Sequence, residues 1–234
     1  RALAYFDLLQ GWGGVAWLTT ELGTESPDLK KQRDPRNVVA DNIITDLDSA
    51  ALYLQADKTD GASRVNKWMA LLIQSRVALY EGSWEKYHAG TPFGVANAQP
   101  EKYFNKAVEA ASKIMASNVY SIYTKGSPST DYYDLFSRQR TYSGNTEVMF
   151  WRSFNNSLGK GEAAFTRDRN YRQRTPNERS QTKELADSYL CTDGKPITDN
   201  SLFKCYTTIG LEMQNRDPRY IHTFGTSGQP WTIK

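Results

Sequence analysis

A sugar presents hydroxyls on its rim and C–H groups on its faces. Holding one takes an aromatic face to stack on and planar or forked polar groups to bridge neighbouring hydroxyls. The densest run of such groups in this chain is Trp151-Arg152-Ser153-Phe154-Asn155-Asn156, continuing to Arg169-Asn170-Tyr171. Trp84 falls between two predicted helices and is a further ring of the same kind. We therefore take Trp151, Arg152, Asn155, Asn156, Tyr171 and Trp84 as candidate ligand-binding residues. The plainer reading of the same run is that Trp151 ends a buried strand and the asparagines make turns.

Other chemistries find less support. There is no Gly-x-Ser-x-Gly elbow and no phosphate loop. Gly11-Trp12-Gly13-Gly14 lacks the strand-before, helix-after context and the spacing of a dinucleotide fingerprint. Acidic residues are plentiful, but nothing in the sequence selects a glycosidase pair. The expectation is a protein without catalysis and without a cofactor. His88 and His222 are the two histidines, and neither stands at ligand spacing from a cysteine, so no metal is expected. Cys191 and Cys205 read either as a disulfide or as two unrelated small apolar residues. Arg167, Arg169, Arg172, Arg174 and Arg179 cluster around Tyr171. They read as a solvated loop face or as a site for an acidic sugar; Asp168 and Glu178 among them, and a net charge of +3, argue against nucleic acid.

The chain has 234 residues, 39% hydrophobic and 24% charged. It is long enough for one sizeable core, and no apolar run approaches the roughly 18 residues of a membrane span. Aromatic residues make up 12%, enough to fill a core and still leave rings for a surface.

The elements that must position these groups are mostly helices. Leu3, Phe6 and Leu9 predict a short helix over 2–10, stopped by Gly11-Trp12-Gly13-Gly14. Val15-Ala16-Trp17-Leu18 reads as a short extended segment. Asp34-Pro35 reads as an N-cap followed by proline at the first helical position. From there Ala40, Ile43, Ile44, Leu47, Ala51 and Leu54 predict a helix over about 35–55, with Asp41, Asp46 and Asp48 facing away. A third helix is predicted over about 66–81, apolar on two sides and capped by Gly82. A fourth is predicted over 101–116, burying Phe104, Ala107, Val108, Ala111, Ile114 and Met115. Trp12, Trp17 and Trp68 fall in apolar patterns and read as core. Beyond Tyr123, loops dominate: Glu147-Val148-Met149-Phe150-Trp151 reads as a strand or buried extended segment, Leu185–Tyr189 as a helical turn, Asp193-Gly194-Lys195-Pro196 as a turn, and Asp217-Pro218 as a helix or turn start.

The helix pair 66–81 and 101–116 resembles a decorated tetratricopeptide unit, with Leu79-Tyr80-Glu81-Gly82 ending its first helix and Tyr103-Phe104-Asn105-Lys106-Ala107-Val108 at the core of its second. Six further stretches, in order, resemble the SusD/RagB family. Tyr5-Phe6-Asp7-Leu8-Leu9-Gln10-Gly11-Trp12-Gly13-Gly14-Val15 resembles its aromatic helix and Gly-x-Val-Pro turn, with Ala16 where proline is usual. Ile44–Ala50 resembles its Asp-Leu-x-x-Ala helix, and Ser63–Ala70 with Arg76–Tyr80 its Arg-led helix. Tyr132–Phe136 with Asn145–Phe150 resembles its aromatic and Glu-apolar-apolar-Phe stretch. Asp193–Pro196 and Asn215–Arg219 resemble its two late motifs.

The resemblance implies a mainly α fold: tetratricopeptide-like helical hairpins with a loop-rich, irregular second half, as in a SusD-like α-superhelix. It implies that 1–234 is part of a single SusD-like domain, with a helical scaffold over about 1–120 and a loop-rich ligand-side region over about 121–234. It also implies an outer-membrane, surface-exposed lipoprotein that captures oligosaccharide and delivers it to a SusC-like, TonB-dependent transporter. Any lipid anchor would lie outside this stretch, which reads as an internal fragment. The alternative expectation, from the helical half, is a tetratricopeptide-type scaffold for a protein or peptide.

Overall fold

The computed structural model describes residues 1–57, 63–138, 142, 144–152 and 182–224. Among them the structure is mainly α and builds no strand; an isolated antiparallel bridge joins Cys191 and Arg216. No described helix is long and apolar enough to cross a membrane. The chain separates into two compact units, one of residues 1–122 with 142–152 and the other of 123–141 with 153–234.

The first unit is a stack of four helices: α1 (Ala2–Trp12), α2 (Arg36–Tyr53), α3 (Lys67–Tyr87) and α4 (Pro100–Ala116), each packed on its sequence neighbour. The apolar spacing of α2 sends Val39, Ile43 and Leu47 into the core, where they meet Leu9 of α1, Val77 of α3 and Tyr103 of α4. Each such aliphatic side chain taken fully out of water contributes about 1.5–3 kcal/mol before entropy is set against it. Asn66 starts α3 by accepting the Met69 N–H at 3.0 Å, and its amide donates to the Met149 carbonyl at 3.2 Å.

Several sequence expectations are corrected here. Helix α1 runs on through Gly11, so Leu9 is its buried residue and Trp12 is turned out, 67% exposed. Gly13, at φ 71°, then ends it by donating to the Leu9 carbonyl. Pro35 takes the N-cap position of α2, because the Asp34 carboxylate is engaged elsewhere: it accepts the Trp17 N–H at 2.7 Å and Lys31 at 3.0 Å. The backbone bond from Trp17, followed by the Lys31 side chain, holds the Asp34 carboxyl below its ordinary range. Asp41, Asp46 and Asp48 stay outside the core but are not left to solvent alone; they pair at the surface with Lys102, Arg1 and Lys106 respectively.

That pairing also explains why the buried stripe of α4 lies one residue off the expected one. Lys102 and Lys106 reach toward α2, so Tyr103, Ala107, Ala110 and Ile114 point inward. Val108 and Met115 are left 65% and 71% exposed on the other side. Gly82 does not end α3 but lies within it, against α4: a Cβ there would come 3.0 Å from the Phe104 ring and 3.1 Å from the Pro100 carbonyl. Residues 147–151 lack a strand partner among the described residues, and Phe150 is 40% exposed. Their backbone is fixed instead by Asn145, which accepts from the N–H groups of Glu147 and Val148. Trp68 is buried as expected, and Trp17 packs half-buried against the core.

The second unit carries short helices: α5 (Pro128–Tyr133), running into a π-helical turn (Asp134–Arg138), then α6 (Lys183–Ser188), α7 (Ile209–Glu212) and α8 (Pro218–Thr223). Thr182, Thr208 and Asp217 cap the last three with their side-chain oxygens, each cap contributing about 1 kcal/mol. The predicted turn at 193–196 forms, with Gly194 at φ 77°. Buried Arg216 ties α6 to this region by donating to the Ala186 and Tyr189 carbonyls at 2.5 and 3.0 Å. Cys191 and Cys205 are both free thiols.

Candidate functional site

The strongest constellation in the first unit grows from the last turns of α3. Tyr80, Trp84 and His88 recur every four residues, so a helix continuing past Gly82 lines them up on one face. The Trp84–His88 ring centroids are 4.1 Å apart and the Tyr80–Trp84 centroids 6.3 Å, while Phe6 of α1 meets Tyr80 edge-on at 5.7 Å. Beneath them runs a buried ion pair. Arg36, at the start of α2, reaches Glu81 with Nη2 at 2.8 Å and Nε at 3.0 Å from both carboxylate oxygens. The two side chains are 8% and 0% exposed. The Arg36 guanidinium carbon lies 4.0 Å from the centroid of the Trp84 ring. A buried carboxylate tolerates its desolvation only with a partner of this quality, so Glu81 fixes Arg36 and Arg36 fixes the indole.

The α3–α4 connection completes the site. Trp84 Nε1 donates to the Phe93 carbonyl at 3.0 Å, which places the Phe93 ring outward, 68% exposed and 6.2 Å from His88. Gly94 must be glycine for this turn, since a Cβ there would sit 2.4 Å from the His88 carbonyl. Glu85 anchors the far end by accepting the Gln99 N–H at 2.5 Å. Burial raises the Glu85 carboxyl above its ordinary value. The result is a ladder of rings with a cation behind it and one ring, Phe93, offered to solvent.

Of the expected site residues, Trp84, Trp151 and Arg152 are among the described residues. Trp84 lies within α3 rather than in a loop, because the helix continues to Tyr87. Trp151 is half-buried and meets Tyr142 edge-on at 5.6 Å, and Arg152 is exposed. Asn155, Asn156 and Tyr171 lie outside the described residues, as does the arginine cluster of 167–179. Trp84 and Trp151 are not brought together. The Met149 carbonyl is held at Asn66, and Trp84 is eighteen residues farther along α3, about 27 Å at about 1.5 Å per residue. Arg36, Glu81 and Phe93 were missed altogether. The 80/84/88 spacing was the available signal, and reading Gly82 as a stop concealed it.

A second concavity belongs to the other unit. It is an open groove of about 380 Å³ lined by Pro128, Tyr132, Leu190, Cys191, Asp217 and Arg219 among others. Arg219 is folded onto the Asp217 carboxylate, with Nε at 3.0 Å from both oxygens and Nη2 at 2.5 Å from one. Its charge is spent on that pair, which leaves the groove little to draw a polar ligand. Among the described residues no group of histidine, cysteine and carboxylate side chains is placed to hold a metal.

No protein-family model and no curated protein matches the chain. Among solved structures, a SusD-like protein from Bacteroides fragilis NCTC 9343 aligns with a TM-score of 0.62 at 20% identity, over 95% of this chain and 40% of its own. A structure described as containing xylogluco-oligosaccharide aligns at a TM-score of 0.44 and 24% identity, over 66% of this chain and 27% of its own; a likeness at that level carries no argument. The chain thus spans two-fifths of the SusD-like protein's length, and over that span it has the SusD-like fold.

Proposed function

We propose that this chain is part of a SusD-type nutrient-binding protein: a lipid-anchored protein of the outer-membrane surface that captures oligosaccharide and hands it, unhydrolysed, to a SusC-like TonB-dependent transporter. In this reading residues 1–234 belong to one larger SusD-like domain. The observation that carries the binding role is the ring ladder of α3, with Phe93 presented on a turn that Trp84 holds. A ring whose orientation is already fixed stacks on a sugar face at little cost in side-chain entropy. The likeness in fold to a SusD-like protein adds weight to the setting; fold alone does not name a ligand.

The test is calorimetric titration of the chain against neutral and acidic oligosaccharides, with Phe93→Ala, Trp84→Ala and Trp151→Ala variants. Saturable binding without turnover, weakened in Phe93→Ala and Trp84→Ala, supports the reading. Loss confined to Trp151→Ala moves the site to the 151–171 stretch. Hydrolysis abolished by one Asp or Glu substitution would make the protein a glycosidase instead.

One observation favours a second reading, a scaffold for a peptide. The outer side of the α3–α4 hairpin leaves Leu79, Val108 and Met115 54%, 65% and 71% exposed. A Val108→Glu variant that loses a protein partner while keeping sugar binding would support it.

A further inference from the structure

Trp12 and Arg33 are both exposed in the first unit, outside the α3 ladder, and are joined through the Trp12 backbone. Trp12 is 67% exposed at the end of α1. Arg33 comes from the loop before α2, and its Nη1 donates to the Trp12 carbonyl at 3.3 Å. That is a weak bond to a neutral acceptor, and no carboxylate among the described residues meets the Arg33 guanidinium. Its neighbour Asp34 is already engaged by Trp17 and Lys31. In the segment 27–36, Lys31 is paired with Asp34 and Arg36 with Glu81, which leaves exposed Lys30 and Arg33 against Asp28. The pair is also connected to the ladder: a Cβ on Gly13 would lie 4.0 Å from Arg36 Nη1, and Arg36 lies behind Trp84.

We propose that Trp12 and Arg33 form a subsite for a carboxylated sugar residue, a uronate, of a glycan that stacks on the Phe93 ring; the proposal rests on the glycan-binding reading above. The indole supplies the face on which the pyranose C–H groups stack. The forked guanidinium supplies two parallel N–H donors for the carboxylate, a geometry a lysine does not offer. A neutral sugar would use the ring and leave the cation solvated, so the charge preference belongs to Arg33 and the overall affinity to both residues.

An oligogalacturonate and its fully methyl-esterified form differ in charge on the same skeleton, and both are titrated calorimetrically against the chain. The unesterified form should bind about tenfold more tightly, the size expected of one charge-assisted bidentate contact. Arg33→Gln should bring the two affinities together by weakening the acid form alone, and Trp12→Ala should weaken both. Arg33 is exposed and makes the one weak bond, so this variant should fold; its circular dichroism is compared with wild type. Equal affinity for acid and ester in wild type, or a preference that survives Arg33→Gln, overturns the proposal. Binding of neutral glycans without any affinity for either galacturonate also overturns it and leaves the glycan-binding role intact. Failure to bind any sugar removes both.

Discussion

The Glu85 carboxylate is buried and accepts the Gln99 N–H at 2.5 Å, so one acid of α3 fixes the residue from which α4 begins. Burial raises its pKa in the folded state. A carboxyl with a raised folded pKa binds its proton more tightly when folded. Its contribution to stability is therefore full below the unfolded value and is lost as pH rises through the folded one. At neutral pH the ionised form is a cost, partly offset by the bond to Gln99. Glu85→Gln keeps an acceptor for that N–H and removes the charge. Its melting temperature should equal or exceed wild type at pH 7, with the difference vanishing near pH 4. A variant markedly less stable at pH 7 would show that the ionised carboxylate is needed.

Breaking the Arg36–Glu81 pair should be costly. Arg36→Ala leaves a fully buried carboxylate without its partner, an arrangement that typically costs about 3–5 kcal/mol. Urea denaturation should show that loss. The double change Arg36→Met with Glu81→Leu should recover most of it, since apolar residues of similar volume replace the pair without stranding a charge. If the double variant is no better than Arg36→Ala, the loss comes from packing rather than from the orphaned acid.

Gly82 sets two local preferences against each other. In a free helix, Gly82→Ala would gain about 1 kcal/mol of propensity. Here the added methyl meets the Phe104 ring at 3.0 Å and the Pro100 carbonyl at 3.1 Å. The ring can shift, but the carbonyl belongs to the backbone that starts α4. Overpacking of this kind costs about 1–3 kcal/mol, so the variant should melt lower than wild type. Phe104→Leu in the same chain should restore part of the loss. A variant that melts higher would mean that the hairpin opens without penalty.

The thiols differ in access. Cys191 is 2% exposed, while Cys205 is half-buried and has its pKa lowered by hydrogen bonding to Thr207. A chromogenic disulfide reagent should modify Cys205 first and reach Cys191 only on unfolding. The melting temperature should not respond to reductant. A shift on reduction would reveal a bridge between the two.

Much of the scaffold was readable from local chemistry. The apolar spacing of α2 places Ile43, Ile44 and Leu47 in the core, Asp217-Pro218 starts α8, and residues 193–196 turn as their composition demands. The misreadings share a cause: a distant partner decided what a local rule left open. Gly82 is a glycine because Phe104 and Pro100 approach it, not because a helix ends there. Lys102 and Lys106 lean across the surface to Asp41 and Asp48 of α2, which turns α4 away from its apparent stripe. Asp34 is drawn from its helix by Trp17. The ladder lay deeper still. Its cation and anion, Arg36 and Glu81, stand 45 positions apart, and the turn that carries Phe93 is held by the Trp84 indole together with Thr91.

The charge under Trp84 also has a kinetic consequence. An indole resting on a guanidinium that is itself gripped by a buried carboxylate has little freedom to swing aside, so a glycan bound in the proposed way would find its surface already assembled. Encounter then requires no rearrangement, and ligands of different fit would be separated by how long they stay rather than by how fast they arrive.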